Sequence, residues 1–212
     1  ELGEDDWLVG TAVTDGSCDI MLFSSEGKAV RFAETNVRAM GRTARGVRGI
    51  NLAEGHRLIS LIVPRADSRI LTVSENGYGK RTAVNDYRRS GRGGQGVANI
   101  ETSQRNGKVM ASFAVVEEDQ LMLVTNMGQV IRIRVHGGEG DSIRVAGRKT
   151  QGVRLFDVAN NDTEKVVSAG IVRETDSDDG ADDAANPETA TDDQEPATTA
   201  RGSVFGSDTN QD

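Results

Sequence analysis

"SGRGGQGV", residues 90–97, carries Gly91, Gly93 and Gly96 in the G-x-G-x-x-G spacing of a dinucleotide-binding loop. Two further stretches share part of it, "MGRTARGV" (40–47) and "AGRKTQGV" (146–153). The common pattern is G-R-x-x-x-G-V. Gly41 and Gly46, Gly91 and Gly96, and Gly147 and Gly152 therefore frame three equivalent loops, while Gly93 belongs to the middle copy alone. The first glycines stand 50 and 56 residues apart. A period of that size is the signature of a repeat architecture.

The repeat extends in both directions from the loops. Upstream, "LFSSEGKAVR" (22–31), "LTVSENGYGKR" (71–81) and "LVTNMGQVIR" (123–132) align, with Gly27, Gly77 and Gly128 spaced 50 and 51 residues apart. The third unit carries five extra residues between its two landmarks, within "VHGGEGDSI" (135–143). "LVGTAVTDGSCDIMLF" (8–23) aligns without a gap on "LISLIVPRADSRILTV" (58–73), and "VMASFAVVEEDQLMLV" (109–124) and "VVSAGIV" (166–172) follow the same scheme. Three full repeats are present. The chain opens on what reads as the closing strand of a fourth, which predicts a piece of a longer array.

Each unit reads as short strands. "DIMLFSS", "KAVRF", "RGVRGINL" and "RLISLIV" are apolar-rich runs punctuated by the turn pairs Asp15-Gly16, Glu26-Gly27, Asn76-Gly77 and Asn106-Gly107. No stretch sustains a helical apolar period over 11 or more positions without a glycine. Four strands per unit of about 50 residues predict an all-β, propeller-like fold of four-stranded blades. That context excludes the dinucleotide reading, which needs a strand before the first glycine and a long helix after the last. Here "NDYRRS" precedes the loop and the expected strand "VANIET" follows it.

The formal net charge of −8 conceals two regions of opposite character. Residues 173–212 hold 12 acids against Arg173 and Arg201, with almost no large apolar side chains. Such a segment cannot bury enough surface to offset its ordering entropy, so a disordered acidic tail is expected there. Residues 1–172 form the expected folded body, with 23 bases against 21 acids. Cys18 is the only cysteine, which excludes an intrachain disulfide or a thiolate metal cluster and fits a reducing compartment. No apolar run reaches the ~18 residues of a membrane span and no secretory leader pattern is present, so a soluble cytoplasmic protein without a membrane partner is expected.

The body's positive charge is concentrated in the glycine loops. Residues 38–53 hold Arg38, Arg42, Arg45 and Arg48; residues 77–99 hold Lys80, Arg81, Arg88, Arg89 and Arg92; residues 142–156 hold Arg144, Arg148, Lys149 and Arg154. Asp86 is the one acid against these 13 bases. Arg31 and Arg132, which end the aligned strands, extend the set. One arginine-rich turn reads as a solvated loop. Three in register, with acids excluded, read as a surface for a duplex phosphate backbone, where arginine forks and glycine-exposed N–H groups approach phosphates closely. Aromatic residues make up 4% of the chain, too few for single-strand stacking platforms, and nothing resembles a recognition helix. Shape and bending of the duplex are left to supply any preference. Replacing Arg42, Arg92 and Arg148 together by Ala is expected to weaken DNA binding and to leave folding intact, since exposed arginines contribute little to stability.

No catalytic or metal site emerges. His56 and His136 lie 80 residues apart without companion ligands and read as surface or turn residues. "VEEDQ" (116–120) reads as a solvated turn, and Tyr78 and Tyr87 as turn and strand residues.

Residues 8–172 resemble the C-terminal domain of DNA gyrase A. "LFSSEGKAVRFAETNVRAMGRTARGVRGINL", "ILTVSENGYGKRTAVNDY" and "RVAGRKTQGVRLF" carry the match. The resemblance implies a β-pinwheel, whose blades exchange strands with their neighbours and whose basic rim wraps duplex DNA in a right-handed sense. It further implies that an ATP-driven, Mg-dependent type II topoisomerase uses the wrap to introduce negative supercoils. The partners implied are the remainder of gyrase A, together with gyrase B, in an A2B2 assembly on the chromosome, with ATP and Mg bound outside this chain. The cleavage tyrosine of the family belongs to an upstream domain, and the Gln-Arg-Arg-Gly-Gly-Lys-Gly box of the family's first blade is matched only by its degenerate echo "SGRGGQG" (90–96). Two alternatives stand beside this reading: the C-terminal domain of the topoisomerase IV paralogue, and a propeller-like scaffold whose arginines contact acidic proteins. The tail is expected either to solvate the domain or to compete with DNA for the basic loops.

Overall fold

Three hairpins, one per repeat, set the architecture: β1 (Asp19–Ser24) with β2 (Lys28–Ala33), β4 (Arg69–Ser74) with β5 (Tyr78–Ala83), and β8 (Gln120–Thr125) with β9 (Val130–Arg134). The computed structural model describes residues 3, 6–137, 142–158 and 163–173. Each hairpin turns on a left-handed glycine, Gly27 (φ 82°), Gly77 (φ 75°) or Gly128 (φ 82°), whose N–H bonds back to the residue ending the first strand. That left-handed conformation is accessible to glycine without a Cβ clash, which is why these glycines mark the repeat so sharply.

A closing strand then adds to the first strand of each hairpin: β3 (Leu58–Ile62) on β1, β7 (Val109–Val115) on β4 and β11 (Val166–Val172) on β8. All three pairings slip register near the end of the strand, between Phe23 and Ser24, Val73 and Ser74, and Val166 and Ser168. The fourth strand comes from the following repeat. β6 (Val97–Ala98) pairs with β2, and β10 (Val153–Arg154) pairs with β5. The sheet orders are β3-β1-β2-β6, β10-β5-β4-β7 and β11-β8-β9. The fold is thus an all-β pinwheel of strand-exchanging blades. Among the described residues the third sheet has three strands, and the only helical segments are the three-residue 3-10 turns at 34–36 and 84–86.

Alternation along the strands sends successive side chains to opposite faces, and the sheets bury these faces against one another. Met21, Phe23, Ala29 and Ile62 of the first sheet meet Ile70 and Tyr87 of the second repeat. Leu71, Val73 and Val115 meet Leu121, Leu123, Val135, Ile143 and Val166. Leu22, Val30 and Phe32, on the other face of the first sheet, are covered by Ile50 from that repeat's own loop. Buried polar side chains are paired. The Tyr87 hydroxyl donates to Asn99 Oδ1 at 2.5 Å, and Asn99 Nδ2 donates to Thr72 Oγ1 at 3.0 Å.

Several expected strands are absent or shortened. Residues 8–12 and 45–52 form none, and only Val97 and Ala98 of "VANIET" pair. The cause is strand exchange. Closing strands pair with the first strand of their own hairpin, and exchanged strands with the hairpin before. Residues 8–12 and 45–52 occupy the repeat positions that pair with a hairpin preceding β1, and the described residues contain no such hairpin. "VEEDQ" is also not wholly solvated: Asp119 is buried, accepting from the Val116 N–H at 3.0 Å and pairing with Arg173 at 3.3 Å. The expected acidic tail (174–212) and residues 138–141 of the third repeat's insert lie outside the described residues.

Candidate nucleic-acid interface

Strand exchange decides where the basic loops sit. The chain leaves β5 through residues 84–96 and returns to the first sheet, and it leaves β9 to return to the second sheet before β10. Each crossing loop is held by the strand it crosses. Arg31 on β2 donates to the carbonyls of Val84 (2.9 Å) and Tyr87 (3.2 Å), and its own carbonyl accepts from Ser90 N–H at 2.7 Å. On β5, Arg81 Nε donates to the Ile143 carbonyl at 2.7 Å, while its main chain exchanges bonds with Arg144 and Ala146. Thr82 Oγ1 adds a bond to the Ala146 carbonyl at 2.9 Å. Lys80 Nζ donates to the carbonyls of Gly147 (2.5 Å) and Arg148 (2.9 Å).

These contacts revise the predicted surface. Lys80 is 0% exposed and Arg81 4%, so neither reaches a partner; both are inward clamps on the next repeat's loop. Burial, with the nearby Arg148 charge adding to it, pulls the Lys80 ammonium down to about 8. Arg31 is half-buried and also bonded to Asp19 at 2.7 Å. The corresponding residue of the third repeat, Arg132, is exposed.

The remaining bases fall into two rows. Arg38, Arg88 and Arg144 occupy one repeat position, three residues before Gly41, Gly91 and Gly147, and all three are exposed. Arg42, Arg92 and Arg148 occupy the next position along. Arg92 Nη1 donates to the Arg48 carbonyl at 3.0 Å, and Arg148 Nη1 donates to the Ala98 carbonyl at 2.8 Å. Arg48 and Ala98 are themselves repeat equivalents, so this second arginine is a clasp between neighbouring repeats. Arg92 also bonds the Asn36 carbonyl at 2.9 Å. Arg42, Arg45, Arg48 and Lys149 are exposed. Arg154 is exposed too, but is paired with Asp157 at 3.1 Å and lies 5.8 Å from the Tyr78 ring centroid.

The loop glycines divide in the same way. Gly46, Gly96 and Gly152 have φ of 86°, 78° and 80°, and a Cβ on Gly96 or Gly152 would lie 2.5 or 2.6 Å from the carbonyl oxygen of Ala29 or Gly79. The fold requires them. Gly41, Gly91 and Gly147 lack the left-handed conformation, and a Cβ there would meet nothing within 4 Å. Glycine at those three sites leaves main chain open to solvent beside the exposed arginine row. Around Gly147, a surface depression of about 380 Å³ is lined by Asp86, Gly147, Arg148, Lys149 and Thr150.

Sequence reading missed Asp19. It is paired with both Arg31 and Arg89, the latter with Nε at 2.7 Å, so Arg89 is held down although exposed. Burial raises the Asp19 carboxyl, but hydrogen bonds from Arg89 and Arg31 more than reverse this and hold it below the ordinary range. Its partner lies 70 residues away, and its repeat equivalents are Arg69 and Gln120, so alignment of the units gave no signal.

A family model described as the DNA gyrase C-terminal domain, beta-propeller, matches residues 19–65, 68–115 and 119–173, one segment per blade. DNA gyrase A of Klebsiella oxytoca is 49% identical over 173 residues, covering 82% of the chain, and that of Pseudomonas aeruginosa is 47% identical over 162 residues, covering 76%. The chain spans 19% and 17% of those two proteins. Among solved structures, a DNA gyrase A C-terminal domain aligns with a TM-score of 0.69 at 25% identity, covering 81% of this chain and 56% of that one. The C-terminal domain of a DNA topoisomerase IV aligns with a TM-score of 0.73 at 27% identity, covering 82% and 52%.

Proposed function

This chain belongs to the DNA gyrase C-terminal domain family, and on that premise we propose that its glycine–arginine loops bind duplex DNA by the phosphate backbone and wrap it with fixed handedness. The observation that carries the reading is the coincidence of two features in three repeats. An exposed arginine (Arg38, Arg88, Arg144) stands three residues before a glycine that the fold does not require (Gly41, Gly91, Gly147). An arginine fork beside unobstructed main chain suits a phosphate oxygen, and a series of such points suits a continuous backbone. A scaffold for acidic proteins has no need of open main chain at a repeated position.

In this reading the chain is the DNA-wrapping part of a gyrase A protein. It works with the rest of that protein and with gyrase B in an A2B2 type II topoisomerase, which hydrolyses ATP and introduces negative supercoils. Catalytic residues, ATP and Mg reside elsewhere in that assembly. The topoisomerase IV structure matches the fold equally well, but the curated relatives at 47–49% identity are gyrase A proteins, which favours gyrase.

The test is ligation of nicked plasmid in the presence of the 212-residue chain at low salt. Chiral wrapping in the proposed sense gives a positive linking-number shift. Binding with a log–log salt slope near −5 to −9, as expected for about 6–10 neutralised phosphates, but with no shift, reduces the function to gripping DNA. A slope near zero removes the DNA reading.

A further inference from the structure

Each junction between repeats is made by two left-handed glycines, one in the hairpin and one in the loop that crosses to it. At the first junction, a Cβ on Gly27 would lie 2.4 Å from the Ile100 carbonyl oxygen of the exchanged strand. One on Gly96 would lie 2.5 Å from the Ala29 carbonyl oxygen of the hairpin. At the second, a Cβ on Gly77 or on Gly152 would lie 2.6 Å from the carbonyl oxygen of Phe156 or of Gly79. Two members of the series have no such neighbour. Gly128 (φ 82°) in the third hairpin and Gly46 (φ 86°) in the first loop are left-handed, yet a Cβ on either meets no described atom within 4 Å. Among the described residues, Gly128 marks a hairpin without an exchanged strand, and Gly46 an exchanged segment without a hairpin.

The surroundings of the two glycines are open in matching ways. Thr125 N–H donates to the Gln129 carbonyl at 2.9 Å, so Gln129 faces β8 and Val130 turns its N–H and carbonyl to the outer edge of β9. Val130 is 61% exposed, whereas its equivalent Ala29, opposite Val97, is 0% exposed. Met122 and Val124 of the third sheet are half-buried, where Met21 and Phe23, and Leu71 and Val73, are fully buried. On the donor side Val37 is 39% exposed, while its equivalents Tyr87 and Ile143 are buried in the core beside the preceding hairpin. Arg31 and Arg81 donate to the carbonyls of Tyr87 and Ile143; Arg132, at the same repeat position, is exposed. The donor segment nonetheless keeps its form, because the Arg48 carbonyl accepts from Arg92 as the Ala98 carbonyl does from Arg148. Among the described residues, the large apolar side chains left exposed all fall within 7–52 and 127–167, with none between.

We propose that two copies of this chain associate head to tail, residues 46–50 of one adding to β9 of the other with Val47 opposite Val130 and Arg48 opposite Gln129. Val37 then packs on Val124, as Tyr87 packs edge-on against Phe23, and Arg132 donates to the Val37 carbonyl. One copy cannot satisfy itself, because the second repeat stands between the first sheet and the third. An exposed strand edge is ordinarily covered, and the cover that fits this one is the segment the same chain leaves unpaired. The contact is heterologous: a joined pair still has a donor at one end and an acceptor at the other, so association continues to rings or open chains. The association does not rest on the DNA reading. Given that reading, it carries the exposed arginine row from Arg144 of one copy to Arg38 of the next.

The test mixes two variants of the whole chain, each with Cys18→Ser so that one introduced thiol remains. Arg48→Cys mixed with Gln129→Cys gives the directly opposed pair; both positions are exposed, and the bond from Arg92 uses the Arg48 main chain. Val47→Cys mixed with Gln129→Cys is the control slipped by one residue, which turns one thiol to the other face. The disulfide joining unlike copies is expected to form about tenfold faster in the opposed pair than in the control. Equal rates, or faster joining of like copies, overturn the proposal. Sedimentation in the absence of DNA gives a second reading, independent of whether the loops bind a duplex. The mass of the wild-type chain is expected to rise with concentration. Val130→Pro, which deletes the outward N–H on an edge strand where proline is tolerated, should weaken the association about tenfold. A wild-type chain that stays monomeric, or a Val130→Pro chain that associates as the wild type does, overturns the proposal.

Discussion

Arg38, Arg88 and Arg144 lie four residues before Arg42, Arg92 and Arg148 in the same loops, yet the two rows do different work. The first row stands in solvent. In the second row, Arg92 and Arg148 reach back to main-chain carbonyls of the preceding repeat, at Arg48 and Ala98. The difference arises from topology. A loop carried onto a neighbour's sheet passes that repeat's main-chain carbonyls, and a shift of four residues brings an arginine within reach of them: Arg92, though exposed, and Arg148 are held there. Residue type and local charge cannot separate the rows; the separation exists only once the strands have exchanged.

The sharpest way to break the comparison is to remove the rows separately. Arg38→Ala, Arg88→Ala and Arg144→Ala together are expected to weaken duplex binding on the order of 100-fold at fixed moderate salt and to make the log–log salt slope shallower by about 2.7. Thermal unfolding should stay within a degree or two of wild type. Arg148→Ala alone should do the reverse, lowering stability by about 1–2 kcal/mol through loss of a charge-assisted bond to the Ala98 carbonyl, with a DNA effect no larger than that of one phosphate contact. Parallel filter-binding and urea-unfolding series decide this. If both sets change affinity alike and neither changes stability, the clasp reading is wrong. The same urea series tests the expectation that replacing Arg42, Arg92 and Arg148 together leaves folding intact: the carbonyl bonds of Arg92 and Arg148 predict a chain that still folds but with measurably lower stability.

Lys80 sharpens the same contrast from below, as a basic side chain that is part of the core. Its folded-state pKa of about 8 lies beneath its unfolded value, so the unfolded chain holds the extra proton between about pH 8 and 10.5. Stability from this group therefore rises as pH climbs through that window and is flat below it. Relative to Lys80→Met, the wild-type chain should gain on the order of 2 kcal/mol between pH 7 and pH 10, measured by urea unfolding at each pH. Parallel pH profiles for the two proteins would show that Lys80 is solvated in the folded state.

The blades were legible because their determinants are local. A left-handed glycine in each hairpin and an alternating apolar run beside it recur at a fixed offset, and both Gly27 and Gly77 prove to be places where a side chain would strike main chain. Residues 45–52 misled for a non-local reason: they have a strand's composition but pair only across a repeat boundary. The fate of Lys80 was half-visible. Its repeat equivalents are Val30 and Ile131, aliphatic residues at a core position, and that mismatch marks a lysine facing inward. Arg31 and Arg81 had no such signal, because arginine recurs at that position in every repeat.

Asp19 offers the smallest and most selective test of the two-row picture. It sits one strand away from the outer arginines and binds Arg89, the residue next to Arg88, together with Arg31 beneath it. An acid in that position withholds one positive charge from any phosphate nearby. In Asp19→Asn the amide oxygen still accepts one bond, so the pairing is weakened without leaving Arg31 wholly unpartnered. Arg89 is then released toward the outer row. Duplex affinity is expected to rise about two- to threefold, with the salt slope steeper by somewhat less than one, while stability falls by about 1 kcal/mol as a half-buried ion pair is lost. Opposite signs for affinity and stability from one substitution are what distinguish release of a held arginine from general loosening of the loop, which would weaken both.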